Sequence, residues 1–175
     1  MRLTGTSFKE EIRVVSIINL FEEYLNKCYQ NFVSEGRSLS ILKPYASKEE
    51  LSLSDEAARL PLFIPCMLRE LSNIMRQEAT SPHVRAIAGG IYSYVFNPFD
   101  YIDEDSIGYL GFLDDALIVF NGMEFIEKLE QIKFSSIQDQ SLRRMVDECE
   151  SLLNPILVAE FKAYAENLAN MISLK

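Results

Sequence analysis

Apolar residues Phe8, Ile12, Val15, Ile18, Phe21, Leu25, Cys28 and Phe32 recur at steps of three and four. That spacing lines up one face of an α-helix and predicts a helix from Thr6 or Ser7 to about Ser34. Ser7-x-x-Glu10 has the form of a capping box at its start, and Glu35-Gly36-Arg37 ends it. Ser38 to Leu53 mixes Ser, Lys, Pro44 and short apolar pairs, which predicts an irregular connection with one turn near Lys48 to Leu51. Ser54, Asp55 and Glu56 open a second helical region that Pro61 and Pro65 interrupt, leaving a main helix from about Pro65 to Gln77. Thr80-Ser81-Pro82 starts another, because proline at the first helical position lacks only an N–H that would be unsatisfied anyway. Val84, Ala88, Ile91 and Val95 mark its buried face. Gly89-Gly90 within it costs about 1 kcal/mol per residue relative to Ala, so a close helix neighbour is expected there. Pro98 stops the helix.

Beyond it, a helix from Asp114 to about Ile132 uses Ile118, Phe125, Leu129 and Ile132. Another, capped by Ser135 or Ser136, buries Leu142, Met145, Cys149 and Leu152. Asn154-Pro155 restarts the chain as a last helix carrying Leu157, Phe161, Tyr164, Leu168 and Met171. No period-two strand pattern and no internal repeat appears. The expected fold is all-α: a single domain over residues 1–175, a bundle of about six helices with an acidic loop between two central ones.

A chain of 175 residues can bury about two-thirds of its unfolded surface without metal or disulfide staples. The hydrophobic content of 48% and charged content of 25% are those of a globular protein, and the net charge of −9 disfavours nucleic acid as a partner. Cys28, Cys66 and Cys149 are odd in number and widely spaced, which predicts reduced, buried thiols and no metal pair. The amino terminus lacks a basic stretch followed by an apolar run, so the expected address is the cytoplasm. The longest uncharged run, Ala86 to Phe99, has 14 residues, fewer than the roughly 20 that span a bilayer. Peripheral membrane contact through that helix stays open. The oligomeric state is not readable.

Charge is concentrated. Residues 81 to 122 carry six acids, Asp100, Asp103, Glu104, Asp105, Asp114 and Asp115, against one base, Arg85. Asn97-Pro98-Phe99-Asp100-x-Ile102-x-Glu104, followed by Gly108-x-x-Gly111-x-x-Asp114-Asp115, resembles the signature of the YkvA-like family, a domain of unknown function, over residues 83–122. The chain departs from it at Asp103 and Tyr109, where that family usually or often has proline. The resemblance implies a small helical hairpin around a rigid acidic turn, in proteins that are soluble or lie near membranes, and it implies no established reaction.

Three readings of the acidic segment follow. In the first, the carboxylates are scaffolding: Asp100 and Asp105 cap helical turns, Asp114 and Asp115 sit in a first turn where the helix dipole favours them by about 0.3–1 kcal/mol each, and glycines permit positive φ. In the second, Asp100, Glu104, Asp114 and Asp115 converge on Mg²⁺ or Ca²⁺, which want several oxygen ligands. In the third, Asp100, Asp103, Glu104, Asp105, Tyr109, Asp114 and Asp115 bind a basic protein. Tyr92, Tyr94, Phe96, Phe99, Tyr101, Tyr109 and Phe112 crowd the segment, and any that are exposed would serve as anchors while the carboxylates steer.

Other chemistries fit poorly. A calcium loop counted from Asp103 fails, because Ile107 holds a ligand position and Asp114 stands where a bidentate Glu is expected. Gly108-Tyr109-Leu110-Gly111 matches an RNA-clamping loop in letters, but its acidic flanks repel phosphate. His83 is the only histidine, which leaves no catalytic triad and no zinc set, and phosphate-binding fingerprints are absent. The expected function is a non-catalytic protein-binding module with an acidic surface, an inhibitor or immunity-type protein among the options, and no cofactor. The alternatives are a Mg²⁺-dependent hydrolase acting on a phosphorylated substrate and a peripheral membrane protein.

Overall fold

A computed structural model describes residues 5–97, 101–102 and 107–173, with side chains described from residue 15 onward. The chain is all-helical, and no strand occurs among the described residues; Ala46 and Leu153 form an isolated bridge. There are more helices than the six or so expected. Among the described residues they are, in chain order, α1 (Gly5–Ser34), α2 (Ile64–Arg76), α3 (Pro82–Tyr94), α4 (Leu113–Leu129), α5 (Ser135–Gln138), α6 (Gln140–Leu152) and α7 (Pro155–Ser173). Shorter 3₁₀ runs occupy Ser40–Tyr45, Ala57–Phe63 and Gly108–Phe112. Buried side chains from all of these elements join one hydrophobic cluster.

The centre of that cluster is α4, which packs against α2, α3, α6, α7 and the Ala57–Phe63 run. The spacing of Ile118, Phe125, Leu129 and Ile132 suggests an amphipathic helix, but eleven successive residues, Leu113 to Met123, are buried. Such a helix is surrounded rather than half-exposed. Leu129, assigned to the buried face by periodicity, is exposed at the far end. The tightest approach is at Gly122, where a Cβ would lie 2.6 Å from Ile91 Cδ1 on α3. Gly90 has the close neighbour expected of it, with a Cβ 2.7 Å from Leu168 Cδ1 on α7, whereas Gly89 would make only an ordinary 3.5 Å contact with Met75.

Local chemistry explains most boundaries. Ser81 Oγ accepts from Val84 N–H at 3.2 Å, capping α3 with Pro82 at its first position. Val84, Ala88, Ile91 and Val95 are buried as predicted. Ile87 and Tyr94 join them, Tyr92 is half-buried, and Ala86 and Phe96 are exposed. No helix among the described residues is long and apolar enough to cross a membrane.

Three expectations are corrected. The turn placed near Lys48 to Leu51 lies instead at Ser40–Tyr45, because Leu42 is fully buried and draws the chain inward. Hydrogen bonds from Ser47 N–H to Leu152 O (2.9 Å) and from Asn154 N–H to Tyr45 O (2.8 Å) stitch that connection to the α6–α7 junction. The helix started by Ser135 or Ser136 is two, since Asp139 leaves helical geometry and its carboxylate accepts from Ser141 N–H at 2.8 Å, capping α6. Cys66 is exposed on the outer side of α2, while Cys28 is half-buried and Cys149 buried; all three are free thiols.

Candidate functional site

Asp114 and Asp115 open α4 in its first turn, where free N–H groups and the helix dipole favour negative charge. Both are inside the protein, at 0% and 2% exposure. Asp114 Oδ2 accepts three hydrogen bonds: from the Tyr94 hydroxyl at the end of α3 (2.8 Å), from Tyr101 N–H (2.9 Å) and from Ile102 N–H (3.1 Å). Tyr101 N–H also reaches the Tyr94 hydroxyl at 3.3 Å. One carboxylate oxygen thus ties together the end of α3, the start of α4 and the chain between them. Asp114 Oδ1 is buried with no hydrogen-bond partner among the described residues.

This arrangement is under electrostatic tension. Burial pushes the Asp114 carboxyl up to about 6, against the stabilising pull of the Tyr94 hydroxyl and the Ile102 and Tyr101 amides. Burial likewise raises the Tyr94 phenol, and the Asp114 charge adds to the rise. Tyr94 is therefore a fixed proton donor to Asp114 at neutral pH.

Aromatic packing holds the frame. The Tyr94 ring lies 5.0 Å from Tyr164 of α7 and 6.3 Å from Tyr101, and Tyr101 packs at 5.4 Å on Phe161. Tyr101 nevertheless remains 38% exposed, and its hydroxyl donates to Glu160 at 3.3 Å. Phe96 is 43% exposed and stacks edge-on against Phe21 of α1.

Of the residues expected at a partner or metal site, Asp100, Asp103, Glu104 and Asp105 lie outside the described residues. Tyr109, Asp114 and Asp115 are buried and offer no surface to a partner. Tyr109 is a core residue: its hydroxyl donates to Ala58 O at 3.0 Å and its ring stacks on Phe32 at 5.5 Å. Just before it, Gly108 adopts φ +69°, in the left-handed region that favours glycine. Among the described residues, no three His, Cys, Asp or Glu side chains gather as a metal-ligand group. Of the aromatics around the segment, Tyr94, Tyr109 and Phe112 are buried, Tyr92 is half-buried, and Phe99 lies outside the described residues.

The pairing of Tyr94 with Asp114 is not visible in the letters, because the two are twenty residues apart and Tyr94 reads only as one more aromatic. A second feature missed by periodicity is a cleft of about 470 Å³ between α4, α6 and α7, floored by Phe120, Asn121 and Val146. Its signal is Asn121 itself, a lone amide inside the apolar run Ala116 to Met123. Comparison with family models, with curated proteins and with solved structures finds no match to this chain.

Proposed function

We propose that the protein is a non-catalytic, cytosolic binding module of the YkvA-like type that presents the acidic segment between α3 and α4 to a basic protein surface. An inhibitor or immunity-type protein acts in this way. The reading is carried by the double role of Tyr101. Its backbone is held by a buried carboxylate, while its ring, with that of Phe96, stays exposed beside the stretch of sequence bearing Asp100, Asp103, Glu104 and Asp105. Rigid aromatic anchors next to carboxylates suit a basic partner, the rings supplying contact area and the charges supplying steering. The test is capture from extract at low ionic strength, comparing the wild type with Asp103→Asn/Glu104→Gln/Asp105→Asn and with Tyr101→Ala. A partner retained by the wild type, released by added salt and lost by both variants is expected. Equal retention by wild type and triple variant refutes the proposal.

A second reading is favoured by one observation, the buried Asp114 Oδ1 that lacks a hydrogen-bond partner among the described residues. In that reading Asp100, Glu104, Asp114 and Asp115 hold Mg²⁺ or Ca²⁺ and, with Mg²⁺, activate water on a phosphorylated substrate. Calorimetric titration with Mg²⁺, Mn²⁺ and Ca²⁺ decides it. Binding at millimolar or lower concentration, abolished by Asp114→Asn with Asp115→Asn, is required, and a flat titration removes the reading.

A further inference from the structure

The face of α1 that serves the core is narrow. Ile18, Leu25 and Phe32 are buried, one every seven residues, with Phe21, Cys28 and Tyr29 half-buried beside them. A second apolar stripe, a little over a quarter turn round the helix, stands in solvent: Ile17 is 48%, Leu20 67% and Tyr24 53% exposed. The helix itself is 30 residues long, about 45 Å, and packs mainly on α2 and on the 3₁₀ runs Ala57–Phe63 and Gly108–Phe112, which leaves its outer side open. The stripe has a firm base. Tyr24 packs edge-on against Phe112 at 6.1 Å, and Phe21 sits between Phe96 at 5.5 Å and Phe112 at 5.9 Å.

The order of residues along this stripe selects what covers it. By place on the helix, Arg13 and then Glu10 continue the stripe upstream of Ile17, and Lys27 continues it downstream of Tyr24. The steps from Glu10 through Arg13, Ile17, Leu20 and Tyr24 to Lys27 are three, four, three, four, three. That is the heptad spacing of a two-helix seam, and it reads the same in both directions. Reversing the helix sets Ile17 opposite Leu20, Arg13 opposite Tyr24 and Glu10 opposite Lys27. Each of these pairs is complementary: apolar on apolar, guanidinium on an aromatic ring, and acid on base. Lys27 is exposed and makes no ion pair among the described residues. The protein as a whole carries a net charge of −9, yet the six positions hold two cations and one anion, so the general repulsion between copies is relieved along this line.

We propose that the exposed stripe of α1 is an interface for a second copy of this chain, in which two α1 helices pack antiparallel about a two-fold axis lying between Ile17 and Leu20. The contact is isologous, so it closes at two subunits. It goes beyond the reading of the acidic segment and does not depend on it.

Sedimentation velocity and light scattering of the whole protein across about 5–500 µM test this, the range in which a small interface between one pair of helices is expected to form and dissociate. The wild type should pass reversibly from monomer to dimer. Leu20→Lys, at a site too exposed to disturb the core, should weaken the dimer at least about thirtyfold by placing a charge in each of the two central layers. Glu10→Lys and Lys27→Glu should each weaken it about three- to tenfold, since each variant sets like charges opposite one another twice. The double variant Glu10→Lys/Lys27→Glu should recover the wild-type dissociation constant to within about twofold, which happens only if the helices run antiparallel in this register. The Asp103→Asn/Glu104→Gln/Asp105→Asn variant should dimerise as the wild type does. A monomer at every concentration, a dimer indifferent to Leu20→Lys, or a double charge variant no tighter than the single ones each overturns the proposal. A monomeric protein that floats with phosphatidylcholine vesicles overturns it too, and assigns the stripe to lipid.

Discussion

Replacing Asp114 by asparagine keeps the side-chain shape and the oxygen that accepts from Tyr94, Tyr101 and Ile102, but removes the buried charge. The consequence is read in the pH dependence of stability. In the folded protein burial pushes the Asp114 carboxyl up to about 6, from 3.8 in its ordinary environment. A carboxyl with a raised pKa holds its proton longer in the folded state than in the unfolded one. Its contribution is therefore fully present below about pH 4 and is lost as pH rises to about 6, after which it stays flat. A rise of about two pH units at about 1.4 kcal/mol each sets the size near 3 kcal/mol. Urea unfolding of wild type and Asp114→Asn at pH 4, 5, 6 and 7 checks this. The wild type should lose about 3 kcal/mol relative to the variant between pH 4 and pH 7, most of it below pH 6.5. The comparison cancels the other carboxylates and the cost of placing an amide nitrogen where Oδ1 stands, since neither differs with pH between the two proteins. Parallel stability curves would falsify the buried, weakly compensated carboxylate on which the site is built.

The two glycine contacts give a paired expectation. Gly89→Ala should stabilise by up to about 1 kcal/mol through helix propensity, while Gly122→Ala should be about 1–3 kcal/mol less favourable, because its Cβ meets Ile91 in a filled core. Equal denaturation midpoints for the two variants would contradict that packing. Among the thiols, a disulfide reagent applied to the native protein should label exposed Cys66 first and half-buried Cys28 more slowly, with buried Cys149 reacting only after denaturation. Burial raises the Cys66 thiol, so even its labelling should be slower than that of a free thiol at neutral pH. Rapid native labelling of Cys149 would contradict its burial against Ala57.

Much of this architecture is legible where the signal is local. Ser81-Pro82 sets the start of α3, and the three- and four-residue steps from Ile18 to Phe32 mark most of the buried face of α1, because capping and amphipathicity act within a few residues of one another. Val15, on the same periodic stripe, is exposed, since periodicity gives a direction and not the extent of the neighbours covering it. Elements set by distant contacts are less legible. The Ser40–Tyr45 turn forms because Leu42 finds a pocket and Leu152 and Tyr45 backbone groups find partners about 105 residues away in sequence, as the bond from Ser47 shows. The break between α5 and α6 has a local signal in Asp139, but the neighbouring serines compete for it, and Glu70 from α2 takes the N–H groups of Ser135 and Ser136. The candidate site divides in the same way. That Asp114 and Asp115 belong to a helix's first turn is visible from the chain, whereas their burial depends on α3, α7 and the returning backbone at Tyr101 and Ile102, none of which composition can place.

The central claim is that one buried carboxylate pins the chain at the base of the acidic segment. Amide hydrogen exchange at Tyr101 and Ile102, measured in the wild type and in Asp114→Ala, tests it directly. Both amides should be protected in the wild type and exchange at least about tenfold faster in the variant, in keeping with the loss of more than about 1.4 kcal/mol of hydrogen bonding, while Val119 and Phe120 at the centre of α4 keep most of their protection. Amides at Tyr101 and Ile102 that are unprotected in the wild type, or unchanged by the substitution, would contradict the anchor and the reading of the segment that rests on it.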